Sequence, residues 1–361
     1  MNKRKNNTFI ENEFKFNYFT FLAYLLFAVS PLLVAQQTVS GNITCGSSGE
    51  PVAGATVFIA NTTISVTSNQ LGNYSIAVPI EGSFEIVVSH VGYLPEFHTV
   101  EAPDSSHRIN WTLEVREISE LTITVHGNYR QSDVNFFWRR LLGVNPSRRG
   151  LEVLNPEKVH FFRRGDSLMV SCREPIEIIN HEMGYLVRYV LNRFHHDYRT
   201  DETLISGKPY FEYLTPQDSR QQSQWEKRRQ DMYAVSITRF MRSLYRGEAN
   251  ENGFLMIEKD HLHNESFSYR DILQEDEGHV HLRIDSPLYL LCVSRPVTER
   301  MTANVNSLLF GWNMPYPAVI LLPQQLLIYS DGSYSGALRV EEHRNSTIGL
   351  WAMLPMEYGN Y

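Results

Sequence analysis

Between Val39 and Val115 apolar residues recur at every second position. Val39, Gly41, Ile43 and Cys45 share one parity, as do Ala55, Val57 and Ile59, then Phe84, Ile86 and Val88, and last Ile109, Trp111, Leu113 and Val115. Successive side chains of an extended chain point to opposite faces, so this pattern predicts strands that each bury one face. Turn-forming residues separate them: Gly46-Ser47-Ser48-Gly49, Asn61-Thr62-Thr63, Leu71-Gly72-Asn73 and Glu81-Gly82. About seven short strands at this spacing predict an all-β Greek-key sandwich, not a sheet wound through helices.

The pattern changes after residue 125. Residues 121–125 read as a short strand, broken by His126-Gly127-Asn128. Asp133 is expected to cap a short helix containing Phe136, Phe137, Trp138, Leu141 and Leu142, with Gly143 ending it. Residues 159–163 and 168–172 flank Arg164-Gly165-Asp166-Ser167, a hairpin signal, and 184–194 reads as a long strand with Tyr185, Val187, Tyr189 and Leu191 on one face. Thr215 and Pro216 are expected to open one long amphipathic helix, or a bent pair, in which Trp225, Met232, Val235, Phe240 and Leu244 recur near helical spacing until Gly247. Strands return at 288–293, 318–322 and 326–329, with a turn at Ser330-Asp331-Gly332-Ser333. This is an α+β, β-rich second domain.

The start of the chain lies outside both patterns. Lys3, Arg4, Lys5 and Lys15 precede an apolar run over 18–35 that ends in Leu33-Val34-Ala35. A basic region, an apolar stretch and a small residue at its end are the layout of a secretory signal peptide. The expected division is therefore 1–35 signal peptide, 38–125 β-sandwich, 126–150 linker with a short helix, and 151–361 α+β domain. With the leader removed, no segment is long and apolar enough to span a bilayer. The formal net charge is −7, and it becomes more acidic once the basic leader is gone, which argues against nucleic acid as a partner. Three cysteines make no disulfide framework. Cys45 reads as a small core residue, and Cys172 and Cys292 are free to pair.

Val39-Ser40-Gly41, the stretch Gly49-Glu50-Pro51-Val52-Ala53-Gly54-Ala55-Thr56-Val57, then Gly72-Asn73-Tyr74 and Ser89-His90-Val91-Gly92-Tyr93 together resemble the carboxypeptidase regulatory-like domain. The resemblance covers 38–125 and implies a transthyretin-like β-sandwich, exported and common in envelope proteins of Bacteroidota-type bacteria. Its signature residues here are Gly41, Gly49, Pro51, Gly54, Ala55, Gly72, Tyr74, Gly92 and Tyr93, and their expected roles are structural. Further along, Phe136-Phe137-Trp138-Arg139-Arg140-Leu141-Leu142-Gly143, Glu174-Pro175-Ile176, Gly184-Tyr185, Trp225-Glu226-Lys227-Arg228-Arg229 and Leu354-Pro355-Met356-Glu357-Tyr358 resemble exported proteins that carry this region behind a regulatory-like domain. That likeness implies an architecture and no chemistry. Residues 120–125 are similar to the start of the energy-coupling segment of TonB-dependent receptors, but the rest of the chain is too short for a receptor barrel.

Catalytic zinc needs three protein ligands and an open position. His98 and Glu101 are three apart on an expected strand and so face opposite sides, and His181-Glu182 lacks a second histidine. The metal candidates are instead His261, His263, His279 and His281. Each His-x-His unit projects two imidazoles to one side of a strand, and four converge if the strands pair. Gly332-Ser333-Tyr334-Ser335-Gly336 has tyrosine where a nucleophile elbow needs serine. No catalytic residue and no cofactor is assigned. The sequence thus reads as an exported, non-catalytic envelope protein, periplasmic or outer-membrane-associated or extracellular, acting through protein or glycan contacts. Its rivals are a metal-dependent hydrolase in the second domain and an accessory to a TonB-dependent transporter.

Overall fold

The alternating apolar positions of the first domain close into two facing sheets. In the computed structural model the described residues are 37–101, 107–116, 129–143, 150–258, 268–276, 279–292, 319–321, 324–335, 340–342 and 350–359. The expected signal peptide, the 121–125 strand, the 126–128 break, and His261 and His263 lie outside them. The chain divides into two compact units, Met1–Gln37 and Thr38–Tyr361. The architecture that follows belongs to the second.

Among the described residues the sandwich has eight strands: β1 (Gln37–Cys45), β2 (Thr56–Ile59), β3 (Ser65–Thr67), β4 (Asn73–Val78), β5 (Phe84–Ser89), β6 (Glu96–Val100), β7 (His107–Arg108) and β8 (Trp111–Leu113). One sheet runs β4-β1-β7, with β8 also on β1, and the other runs β3-β2-β5-β6. The stretch expected as the last strand, 109–115, holds the short β8, with β7 just before it, and both run parallel to β1. Val39, Ile43, Val57, Ile59, Ile76, Ile86, Val88 and Leu113 fill the space between the sheets. Gly41 explains how close the layers come. A Cβ there would lie 1.8 Å from the Ile109 carbonyl oxygen, so any other residue would part β1 from its neighbour. Tyr74 spans the same core edge, donating to the Ile109 carbonyl at 2.8 Å and accepting from Trp111 Nε1 at 2.9 Å.

The region after the sandwich begins with α1 (Gln131–Leu142). Arg130, not Asp133, is its N-cap. Asp133 sits three residues in, is buried, and accepts from the Arg130 amide at 2.8 Å, Arg163 Nη1 at 2.7 Å and the Tyr198 hydroxyl at 2.7 Å. Burial pushes its pKa up, but these hydrogen bonds and the guanidinium outweigh it and hold the carboxyl below its ordinary range. The helix covers a six-stranded sheet of β9 (Leu151–Val153), β10 (Val159–Arg164), β11 (Ser167–Cys172), β12 (Ile176–Asn180), β13 (Tyr185–Asp197) and β14 (Glu202–Tyr213). The order is β10-β11-β13-β12-β9, with β14 paired along β13. The β10–β11 hairpin turns at Gly165-Asp166 as expected, with Arg164 opposite Ser167. Tyr185, Val187, Tyr189, Leu191 and Phe194 of β13 pack with Phe137 and Leu141 of α1.

The long helix is a bent pair, α2 (Ser219–Tyr233) and α3 (Ile237–Tyr245). Asp218, not Thr215, caps α2, accepting from the Gln221 amide at 2.7 Å, and Ser236 caps α3. A separate core lies under α3. The strands of this part are β15 (Phe254–Glu258), β16 (Leu273–Asp276), β17 (His279–Ile284), β18 (Leu288–Cys292), β19 (Val319–Leu321), β20 (Gln324–Ile328), β21 (Tyr334–Ser335) and β22 (Val340–Glu342). These form two four-stranded sheets, β15-β18-β19-β22 and β16-β17-β20-β21. Cys172 belongs to the core under α1 and Cys292 to the core under α3, and all three cysteines are buried. The pairing of Cys172 with Cys292, which the sequence left open, does not form, since the two lie in different cores.

The first domain is fixed to the second. Phe58 and Val87, on the outer face of the β2–β5 sheet, are fully buried because Val190 and Tyr210 cover them. The Phe58 and Tyr210 rings lie 4.4 Å apart between centroids. The loop after β2 is stitched to β14: the Asn61 amide donates to the Pro209 carbonyl at 2.8 Å and the Phe211 amide to the Thr62 carbonyl at 2.9 Å. Lys208 meets Glu85 at 2.6 Å beside this seam. No helix among the described residues is long and apolar enough to cross a membrane.

Candidate binding depression

The turn between β12 and β13 and the first half of α2 build a small surface site. Asn180 closes the strand pair opposite Tyr185. Its side-chain oxygen turns back to accept from the amides of Glu182 at 3.2 Å and Met183 at 3.1 Å, which fixes the turn. Gly184 has φ +66, and a Cβ on it would lie 2.3 Å from the Trp225 ring. That absent side chain lets α2 lie against the turn. Trp225 then donates Nε1 to the His181 carbonyl at 2.7 Å, and Arg229, one turn on, donates to the Met183 carbonyl at 2.7 Å and the Gly184 carbonyl at 3.2 Å. The Arg229 guanidinium also sits over the Tyr185 ring, 4.4 Å from its centre.

What remains open is a depression of about 480 Å³ lined by His181, Glu182, Gln221, Gln224, Trp225 and Arg228. Arg228 meets Glu182 at 3.2 Å, and His181 Nε2 lies 2.8 Å from Glu152. Both pairs are solvent-accessible, so they add little stability and can exchange partners at small cost. The wall therefore offers a carboxylate that accepts, a guanidinium that donates, and amides and an imidazole that do both. In the sequence Gly184-Tyr185 and the 225–229 stretch stand apart. Their meeting was hidden because some forty residues of strand and loop separate them.

Of the residues singled out for metal, His279 and His281 fall among the described residues. His261 and His263 lie outside the described residues. His279 and His281 share a parity of β17, but opposite His281 stand Gln274 of β16 and Leu327 of β20, and opposite His279 stands Asp276. Among the described residues no three His, Cys, Asp or Glu side chains gather at metal-binding distance. His98 rests edge-on against Trp111, while Glu101 accepts from Ser83 at 2.6 Å. Ser333 is buried in its turn and donates to Asp331 at 2.5 Å.

The signature residues all belong to the sandwich framework. Pro51 bridges to Thr44, the Gly49 amide donates to the Cys45 carbonyl, and the Gly54 amide to the Ser68 carbonyl. Ala55 is buried, the Gly72 carbonyl accepts from Ile43, the Gly92 carbonyl accepts from Arg116, and Tyr93 bridges to Val115. Cys45 is buried as expected, but its sulfur lies 3.2 Å from the Ser47 hydroxyl. Hydrogen bonds from Ser47 and then Ser48 hold the thiol down to about 6.

Residues 39–125 match the family model of the CarboxypepD_reg-like domain. The sandwich is a CarboxypepD_reg-like domain. No curated protein is significantly similar to the chain. Similar solved structures include an N-terminal interface mutant of a type II cohesin–X-dockerin complex from Acetivibrio cellulolyticus, at 25% identity over 21% of this chain and 52% of that one, with a TM-score of 0.19. Another is a DUF3823 family protein from Bacteroides uniformis, at 8% identity over 85% of this chain and 96% of that one, with a TM-score of 0.18. The chain spans about half the length of the cohesin–X-dockerin chains it matches. At these scores the likenesses do not bear on function. The CarboxypepD_reg-like domain contributes none of the residues that line the depression, which all come from the β12–β13 turn and α2.

Proposed function

We propose that this chain is an exported, non-catalytic protein of the cell envelope that acts by binding, with a glycan as the ligand of the depression on α2. The observation that carries the reading is the lining itself. Glu182, Gln221, Gln224, Arg228 and His181 present donors and acceptors side by side around an open hollow of about 480 Å³. Hydroxyl-rich ligands both donate and accept, so they can satisfy such a mixed lining. The hollow falls within the usual size range of small-ligand sites, but its polar, open character suits a sugar better than an apolar molecule. The CarboxypepD_reg-like domain then serves as a fixed support, its outer sheet face sealed against β13 and β14. The basic, apolar leader motivates export, with a periplasmic or outer-membrane location.

The test is isothermal titration of the chain lacking residues 1–35 with cellohexaose, chitohexaose and xylohexaose in turn. At least one should bind, and Gln224→Ala or Arg228→Ala should weaken it about tenfold, the factor for losing one hydrogen bond to a charged or polar group. Absence of binding to all three, or binding untouched by both substitutions, would remove glycan recognition from this hollow.

A further inference from the structure

Residues 350–359 reach two hydrophobic cores and a buried arginine of α3. Leu350 is buried in the core under α1, and Ala352, Met353 and Leu354 pack against that core. Met356 then packs against the core of the CarboxypepD_reg-like domain, and its amide donates to the Asn61 carbonyl at 2.8 Å. The next residue, Glu357, accepts from the Thr63 amide at 2.7 Å and from the Thr63 hydroxyl through the same oxygen.

The far end of the segment is held by a buried arginine of α3. Arg242 is 3% exposed. It donates Nη1 to the Tyr358 carbonyl at 2.8 Å and to the Tyr233 hydroxyl at 2.7 Å, Nη2 to the Met356 carbonyl at 3.2 Å, and Nε to the Asp331 carbonyl at 2.8 Å. Three carbonyls and a phenol thus satisfy a guanidinium that would be costly to bury unpaired. The Tyr358 ring packs edge-on against Tyr233 at 5.7 Å. At the near end, Asn61 adopts φ +63, a left-handed conformation that asparagine tolerates, and this aims its amide at Pro209 and its carbonyl at Met356.

We propose that residues 354–359 are a strap that couples the CarboxypepD_reg-like domain to α3, so that loosening either end loosens the other. The physical basis is that both ends hold one short segment. Withdrawing it from Thr63 also takes the Met356 and Tyr358 carbonyls from Arg242, which is left buried with only the Asp331 carbonyl and the Tyr233 hydroxyl as acceptors. Withdrawing it from Arg242 takes Glu357 from Thr63. Such coupling is reciprocal.

Hydrogen exchange on the full chain tests this in both directions. Glu357→Ala should speed exchange of the Arg246 amide, which bonds to the Arg242 carbonyl at 3.1 Å, by about tenfold, the factor for losing a charge-assisted hydrogen bond. Arg242→Lys should speed exchange of the Thr63 amide by a similar factor. If Arg242→Lys does not fold, Tyr233→Phe, which removes only the phenol, takes its place and should act in the same direction. Exchange that changes only around the substituted residue, in both directions, would overturn the strap.

Discussion

Phe58→Ala is the substitution that most directly tests whether the CarboxypepD_reg-like domain is a fixed part of the body. On β2, Val57 and Ile59 point into the sandwich core, while Phe58 points outward. In a free-standing sandwich that position would face water, and its loss would change stability by less than about 0.5 kcal/mol. Here Phe58 is fully buried among Val87, Val190 and Tyr210. Truncating a buried phenylalanine costs about 3–5 kcal/mol through lost transfer energy and the cavity left behind. About 0.5–1.5 kcal/mol of that belongs to the ring pair with Tyr210, 4.4 Å away. Urea unfolding of wild type, Phe58→Ala, Tyr210→Ala and the double variant measures both quantities. The single variants should each lose several kcal/mol, and the double variant should lose less than their sum because the shared contact is counted once. A Phe58→Ala cost under about 1 kcal/mol, with strict additivity, would refute the sealed interface.

Two further outcomes follow from the same geometry. Gly184→Ala places a methyl 2.3 Å from the Trp225 ring at φ +66, so it should cost at least about 2 kcal/mol and shift Trp225 fluorescence, checked by denaturation and emission spectra. Asp133→Ala should cost about 3–5 kcal/mol at pH 7 because it strands Arg163 and the Arg130 amide. Because the folded carboxyl titrates below its ordinary range, its stabilisation is fully present above the unfolded value and is lost as pH falls through the folded one. The gap between wild type and variant, read by thermal melts, should therefore narrow below about pH 4.

Much of the fold was legible because strand alternation and turn chemistry are local. The parity of Val39, Ile43, Val57, Ile86, Val88 and Leu113 named the sandwich core, and Gly165-Asp166 named a hairpin. Where the reading missed, a neighbour in sequence competed with one in space. Asp133 looked like a cap because it precedes an apolar run, but Arg163 and Tyr198, brought by β10 and β13, made it an interior acceptor. One unused signal did exist. Val57-Phe58-Ile59 and Ile86-Val87-Val88 break the alternation, as strands buried on both faces do.

By itself the sequence determined a β-sandwich of the carboxypeptidase regulatory-like kind and a β-rich α+β region behind it. Only the tertiary structure decided what that sandwich leans on. The loop at Asn61-Thr62-Thr63, a plain turn by composition, joins β14 on one side and residues 356–357 on the other. The hollow between Glu182 and Arg228 arises the same way, from a turn and a helix that meet only in the fold. Periodicity reports that a side chain will be covered; which distant surface covers it depends on long-range packing, and that leaves no repeat along the chain.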